Sequence, residues 1–274
     1  MTSLKQALTK KLTKKELSSL RTAFDVIGDI VIIEIPEELE KKEKIIAETL
    51  LKLHKNIKVV CKKVGIHGGA FRTQKLKILA GQRRKTTIYK ENNCRLRLNL
   101  ETAYFSPRLS TERKRICQQV KPGESILVMF SGVAPYPCVI AKNSKPKEIY
   151  AVEINPKAHK FAEENIKLNK LTNIKLFLGD VNKVLPQLKK KFDHILMPLP
   201  KNAGDFLDIA LTKAKKHTTI HFYDFLQEHE FHEAKDKVAA ACKRAKKKHK
   251  ILRLVKCGKH APYTFRICLD FKIV

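Results

Sequence analysis

The sequence predicts an α/β fold, a mostly parallel sheet wound by helices and preceded by a small α+β domain. Three observations carry that prediction. Short apolar runs at 126–130, 148–152, 174–178 and 192–197 alternate with turns and helical segments. Strands alternating with helices build parallel sheets through right-handed crossovers. The runs end on a glycine turn after Phe130, on Glu153, on Gly179-Asp180 and on Pro198-Leu199-Pro200, and ligands of such sheets sit outside the carboxyl ends of the strands. Finally, the closing strands at 251–256 and 263–271 are separated by a short loop. They read as a hairpin, which sets one antiparallel strand into the sheet.

The elements follow in order. Residues 1–15 are lysine-rich, either a frayed arm or a phosphate contact. The β-branched run 29–35 is closed by Pro36 and reads as a strand. Residues 42–53 carry Ile45, Ile46, Leu50 and Leu53 at helical spacing. A strand at 57–64 leads into the loop Gly65-Ile66-His67-Gly68-Gly69-Ala70-Phe71-Arg72. Short strands follow at 76–80, 86–89 and 94–98, the last alternating so that Arg95 and Arg97 share an outer face. A domain boundary is expected near residue 95, giving a 1–95 unit and a 96–274 unit. Residues 103–109 read as a linker. Ser110 is a candidate helix cap for 111–120. Later helices are expected at 156–169, 203–214 and 230–248, with a strand at 218–223.

At 274 residues the chain has room for one large or two modest domains. Its 57 Lys and Arg face 27 Asp and Glu, a formal charge of +30. A general thermophilic drift raises Glu together with Lys, and here the acids lag. A polyanionic partner, bound through phosphates, is the better reading. No apolar run approaches the ~20 residues of a membrane span, and the basic N-terminus lacks the apolar core of a signal peptide. The seven cysteines form no Cys-x-x-Cys pair. They predict reduced thiols, a cytoplasmic location and no metal site.

The strand ends suggest a cofactor. The turn Phe130-Ser131-Gly132-Val133-Ala134 has one glycine, too few for a dinucleotide pyrophosphate. Glu153 stands where an acid accepts hydrogen bonds from ribose hydroxyls, and Asp180 where one could take an adenine amino group. Turn, ribose acid and adenine acid suit an adenosyl cofactor without phosphates, and S-adenosylmethionine fits.

At these residues the chain resembles the archaeal and eukaryotic tRNA (guanine-N1)-methyltransferases, which modify the purine 3′ of the anticodon, position 37. The likeness rests on the loop 65–72, on Tyr104-Phe105-Ser106-Pro107-Arg108-Leu109-Ser110-Thr111-Glu112-Arg113, on Met129-Phe130-Ser131-Gly132-Val133-Ala134-Pro135-Tyr136, on Glu164-Asn165-Ile166-Lys167-Leu168-Asn169, and on Met197-Pro198-Leu199-Pro200-Lys201. It implies a class I, Rossmann-like methyltransferase domain with a seven-stranded sheet, S-adenosylmethionine as cofactor and tRNA as partner. It also implies roles. Glu112 would take the N1 proton, made basic by burial beside Tyr104 and Phe105. Arg72 would stabilise charge on guanine O6, Tyr104 would flank the extruded base, and Pro200 would shape the loop beside the methyl group. Phe130, Gly132, Val133, Glu153, Asp180 and Pro198 would hold the cofactor. Arg108, Lys246, Lys247 and Lys248 are candidate RNA contacts. Family members often carry Asn where Pro198 stands, and many have a further small domain that this chain is expected to lack. A monomer is expected. Two other readings compete: aminocarboxypropyl transfer or methylation on a wyosine-pathway intermediate, and a non-catalytic RNA-binding protein on a methyltransferase fold.

Overall fold

The computed structural model describes residues 3–69, 71–199 and 202–274. The chain forms two compact units, Met1–Lys90 with Arg95–Pro107, and Glu91–Cys94 with Arg108–Val274.

The first unit contains α1 (Leu4–Leu8), α2 (Lys14–Ser19), β1 (Phe24–Ile27), β2 (Ile30–Ile33), α3 (Glu43–Leu53), β3 (Val59–Gly68), β4 (Thr73–Gly81), and the hairpin strands β5 (Thr86–Glu91) and β6 (Cys94–Asn99). Its four-stranded sheet runs β1-β2-β3-β4, with β2 and β3 parallel and the other pairs antiparallel. The lysine-rich N-terminus is not a frayed arm. Ser3 with Gln6, and Thr13 with Glu16, close reciprocal capping boxes that start α1 and α2. Leu4, Leu8 and Leu12 are buried with Ile46 and Leu50 of α3. In β6, Leu96 and Leu98 are buried while Arg95 and Arg97 are exposed, as the alternation predicts. The sequence boundary at 95 falls inside the β5–β6 hairpin. The hairpin tip groups with the second unit because the Asn92 side chain donates to the Ser110 carbonyl and the Asn93 side chain to Asn143.

The second unit contains α4 (Ser110–Cys117), β7 (Ser125–Val128), α5 (Pro135–Asn143), β8 (Glu148–Glu153), α6 (Pro156–Leu168), β9 (Ile174–Leu178), α7 (Val181–Gln187), β10 (Phe192–Met197), α8 (Leu207–Thr212), β11 (Ala214–Gln227), α9 (Phe231–Arg244), β12 (His249–Ala261) and β13 (Thr264–Ile273). One seven-stranded sheet runs β12-β13-β11-β10-β7-β8-β9. The strands from β11 across to β9 pair in parallel, and β13 is antiparallel to both β11 and β12. The expected hairpin is therefore present. β11 and β13 stay paired out to Gln227 and Thr264, beyond the expected strand at 218–223, because antiparallel pairing continues past the parallel core. β7 pairs β8 on one side and β10 on the other. That reversal of strand order opens a crevice at the carboxyl ends. Ser110 does not cap α4; Leu109 holds the cap position with no side-chain bond. Among the described residues no helix is long and apolar enough to cross a membrane.

Candidate active site

The crevice is floored by a turn of unusual backbone. Phe130, Gly132 and Ala134 all have positive φ, 58°, 57° and 62°. Only the glycine adopts that region freely; each of the other two costs about 1–3 kcal/mol, so the surroundings must hold them. They do. Ser131 N–H donates to the Val152 carbonyl at 2.8 Å, and Ala134 N–H to the Ser131 carbonyl at 2.9 Å. The Val133 carbonyl accepts from Asn165 Nδ2 at 3.0 Å, a fully buried side chain of α6. The Phe130 ring rests edge-on against Phe206, centroids 4.9 Å apart.

Glu153 closes the turn from β8. Its Oε2 accepts Gly132 N–H at 2.6 Å and its Oε1 accepts Asn155 N–H at 2.8 Å. Burial pushes its carboxyl above the usual range, against the pull of the Asn155, Gly132 and Ile154 amides. A carboxylate has about four lone-pair sites, so these amides leave it acceptor capacity for a ribose hydroxyl. The Ser131 hydroxyl is buried without a hydrogen-bond partner. A ribose acceptor, an unsatisfied hydroxyl and an aromatic ring together fit an adenosyl group.

Gly179 N–H donates to the Glu153 carbonyl at 2.9 Å, which draws the end of β9 to the end of β8. A side chain at Gly179 would meet Val184 Cγ2 at 2.9 Å. Asp180, next in line, caps α7 by accepting Asn182 N–H on Oδ1 at 2.8 Å; its Oδ2 takes no part in that cap. Pro198 and Leu199 leave β10 half-buried, with Leu199 N–H on the Met197 carbonyl at 2.7 Å. Pro200 lies outside the described residues.

Glu112 and its neighbour Arg113 are both buried although they stand in a run of charged residues. Arg113 pairs with Glu91 through Nε and through Nη2, the latter at 2.6 Å. Arg115 holds Glu112 with two bonds, Nε to Oε2 at 2.6 Å and Nη2 to Oε1 at 2.7 Å. The Tyr223 hydroxyl donates to Glu112 Oε1 at 2.6 Å, and Tyr136, in the first turn of α5, donates to Tyr223 at 3.0 Å. Within the second unit, Glu112 thus has polar partners on α4 and β11.

The remaining candidates lie elsewhere. Arg72 (φ 50°) and Tyr104 (37% exposed) belong to the first unit. Arg108 is exposed. Lys246 and Lys248 are exposed, and Lys247 donates to the Ala214 carbonyl at 3.3 Å. These lysines precede β12, at the end of the sheet opposite the cofactor turn. The structure therefore gathers Phe130, Gly132, Val133, Glu153, Asp180 and Pro198 at adjoining strand ends. Ser131 and Asn165 lie within the motifs at 129–136 and 164–169, but nothing in those motifs singles them out. Arg115, Tyr223 and Asp270 escape sequence reasoning, because nothing local marks them.

Comparison with known proteins agrees with this geometry. Residues 87–252 match the model of the TRM5/TYW2 methyltransferase domain and residues 4–85 that of the TYW2 N-terminal domain. The tRNA (guanine(37)-N(1))-methyltransferase Trm5b of Pyrococcus abyssi is 38% identical over 93% of this chain and 76% of its own length. A tRNA(Phe) (4-demethylwyosine(37)-C(7)) aminocarboxypropyltransferase of Methanocaldococcus jannaschii is 32% identical over 75% of this chain and 79% of its own. The solved complex of aTrm5 and tRNALeu superposes with a TM-score of 0.85 at 34% identity, covering 99% of this chain and 78% of that one.

Proposed function

The chain belongs to the TRM5/TYW2 methyltransferase family, and we propose that it methylates N1 of guanosine at position 37 of tRNA, using S-adenosylmethionine. The observation that carries this reading is the turn closed by Glu153, with its remaining acceptor sites and the unsatisfied Ser131 hydroxyl beside it. Bound at this turn, S-adenosylmethionine would supply an electrophilic methyl group, its S–CH3 bond breaking to leave the neutral thioether as N1 takes the methyl. Glu153 holds the ribose, Asp180 the adenine amino group, and Phe130, Gly132, Val133 and Pro198 line the pocket. The protein's remaining tasks are alignment and proton removal. Glu112 receives the N1 proton as the N1–methyl bond forms. Loss of that proton places negative charge on O6, and Arg72 answers it with a fixed guanidinium. Tyr104 stacks on the extruded base and Pro200 bounds the methyl. The charge of +30 and the exposed Arg108 and lysines match a phosphate-rich partner. All seven cysteines are free thiols, as a cytoplasmic setting maintains.

A second reading is favoured by one observation, the match of residues 4–85 to the TYW2 N-terminal domain. It makes the transferred group aminocarboxypropyl and the acceptor a wyosine-type base. One experiment separates the two. Labelled S-adenosylmethionine is incubated with an unmodified tRNA transcript, with one carrying adenosine at position 37 and with a tRNA carrying the wyosine-type base there, and the products are mapped by mass spectrometry. Methyl on N1, lost with adenosine, is the expected result. Transfer of the larger group, or none, would overturn it.

A further inference from the structure

Glu112 shares its guanidinium with a second buried carboxylate. Arg115 Nη1 reaches Asp270 Oδ2 at 2.6 Å. Asp270 is fully buried on β13 and takes further donors: His221 Nδ1 at 2.7 Å, Arg253 Nε at 2.8 Å and the Cys268 thiol at 3.2 Å. Burial opposes its ionisation, but His221 and Arg115 outweigh that and hold its carboxyl well below the usual range. The chain then continues. His221 Nε2 lies 3.1 Å from His194 Nδ1, and His194 Nε2 lies 3.1 Å from Glu124 Oε2.

A hydrogen count shows what this chain carries. Ionised carboxylates only accept, so His221 Nδ1 and His194 Nε2 both donate. Of the two facing nitrogens, one donates to the other. The pair therefore holds one proton more than two neutral imidazoles. Burial, with the charge of His221 added, pushes the His194 imidazole down to about 3. A metal ion at His221, Cys268 and Asp270, whose ligand atoms lie within 4.8 Å of one another, would face two guanidinium groups already on Asp270.

We propose that Asp270 and His221 are positioning residues for the reaction, keeping Arg115 neutralised while Glu112 holds the proton taken from the substrate. This deepens the reading of Glu112 as the base and rests on it. Glu112 loses its charge when it is protonated. Without Asp270, Arg115 would then be a partly buried, uncompensated cation, and proton uptake would be resisted. Asp270, fixed as an anion by His221 and Arg253, keeps the guanidinium paired. Arginine does not release a proton in proteins, so the N1 proton does not travel from Glu112 along the chain. The other groups facing Glu112 do not compete for it. Burial pushes the Tyr136 and Tyr223 phenols and the Cys257 and Cys268 thiols up, and Arg113 is paired with Glu91.

The test is the pH profile of the single-turnover methylation rate on unmodified tRNA, for Asp270→Asn and His221→Asn beside wild type. Asp270→Asn removes a negative charge, draws Arg115 wholly onto Glu112, and should move the acidic limb to lower pH with a plateau at least tenfold lower. His221→Asn takes away the imidazole that holds Asp270 in place and should also move the limb. Cofactor and tRNA affinities should stay within twofold for both. Poorer packing alone would lower the folded fraction, read by cofactor titration, and leave the limbs in place. Should Asp270→Asn fail to fold, His221→Asn decides by itself. Glu112→Gln is run in parallel. An inactive Glu112→Gln with unmoved limbs overturns this inference alone; a fully active one overturns the reading beneath it.

Discussion

Replacing Glu153 by Gln tests the cofactor turn at its most loaded atom pair. The carboxylate offers about four acceptor sites. The Gly132 and Asn155 amides occupy two, at 2.6 and 2.8 Å, and the Ile154 amide also leans on the group, which leaves capacity for a ribose hydroxyl. Gln keeps one carbonyl oxygen and turns the other acceptor into an NH2 donor. One ribose bond to an ionised acceptor disappears, and one backbone N–H meets a donor. A hydrogen bond to a charged group contributes about 1.5–3 kcal/mol, so the Kd for S-adenosylmethionine should rise about 10- to 150-fold. Titration calorimetry reads this directly. The pH dependence gives an independent check. Burial raises the Glu153 carboxyl, so the folded chain holds that proton more tightly than the unfolded chain does. Its contribution to stability is present below the unfolded value and is lost as pH rises through the folded value. Acidification through that raised value also removes an acceptor, so wild-type cofactor affinity should fall at higher pH than an ordinary Glu would dictate. The Gln variant should show neither dependence. A Kd within twofold of wild type would refute the assignment of Glu153 to the ribose.

The other predictions concern single groups. Arg72→Lys keeps the charge but loses the planar fork, and should lower the single-turnover rate about 10- to 100-fold if the guanidinium meets O6; an unchanged rate would make Arg72 a phosphate contact. Glu91→Gln leaves Arg113 buried without its counter-charge, and should lower the free energy of urea unfolding by about 3–5 kcal/mol; an unmoved midpoint would show that the pair is dispensable. Neutralising Lys246, Lys247 and Lys248 should weaken tRNA binding evenly across sequences and reduce the salt slope by about one for each phosphate left without its lysine. An unchanged slope would release these residues from RNA recognition, as their place at the far end of the sheet allows.

Much of this was legible residue by residue. The alternating runs from Ile126 onward predict strands whose carboxyl ends carry a turn, Glu153 and Asp180, and the sheet places them side by side. Strand periodicity and turn chemistry are local, so one chain suffices to read them. The N-terminal lysines were ambiguous because charge is visible in a sequence and burial is not; the leucines between them decide the matter by packing into the first unit's core. Glu112 is nameable only through family likeness, and its bonds from Arg115 and Tyr223 carry no local signal. Arg115 lies on the same helix, but Tyr223, Asp270, His221 and His194 come from β11, β13 and β10. The sequence alone therefore determined the parallel-sheet architecture, the cofactor-bearing strand ends and the basic character that matches RNA. Tertiary structure alone decided which charged groups are buried, and with what. The strand order brings residues more than a hundred positions apart within hydrogen-bond reach, and the cost of desolvating an ionised group is set by that assembled neighbourhood, which no local window of sequence contains.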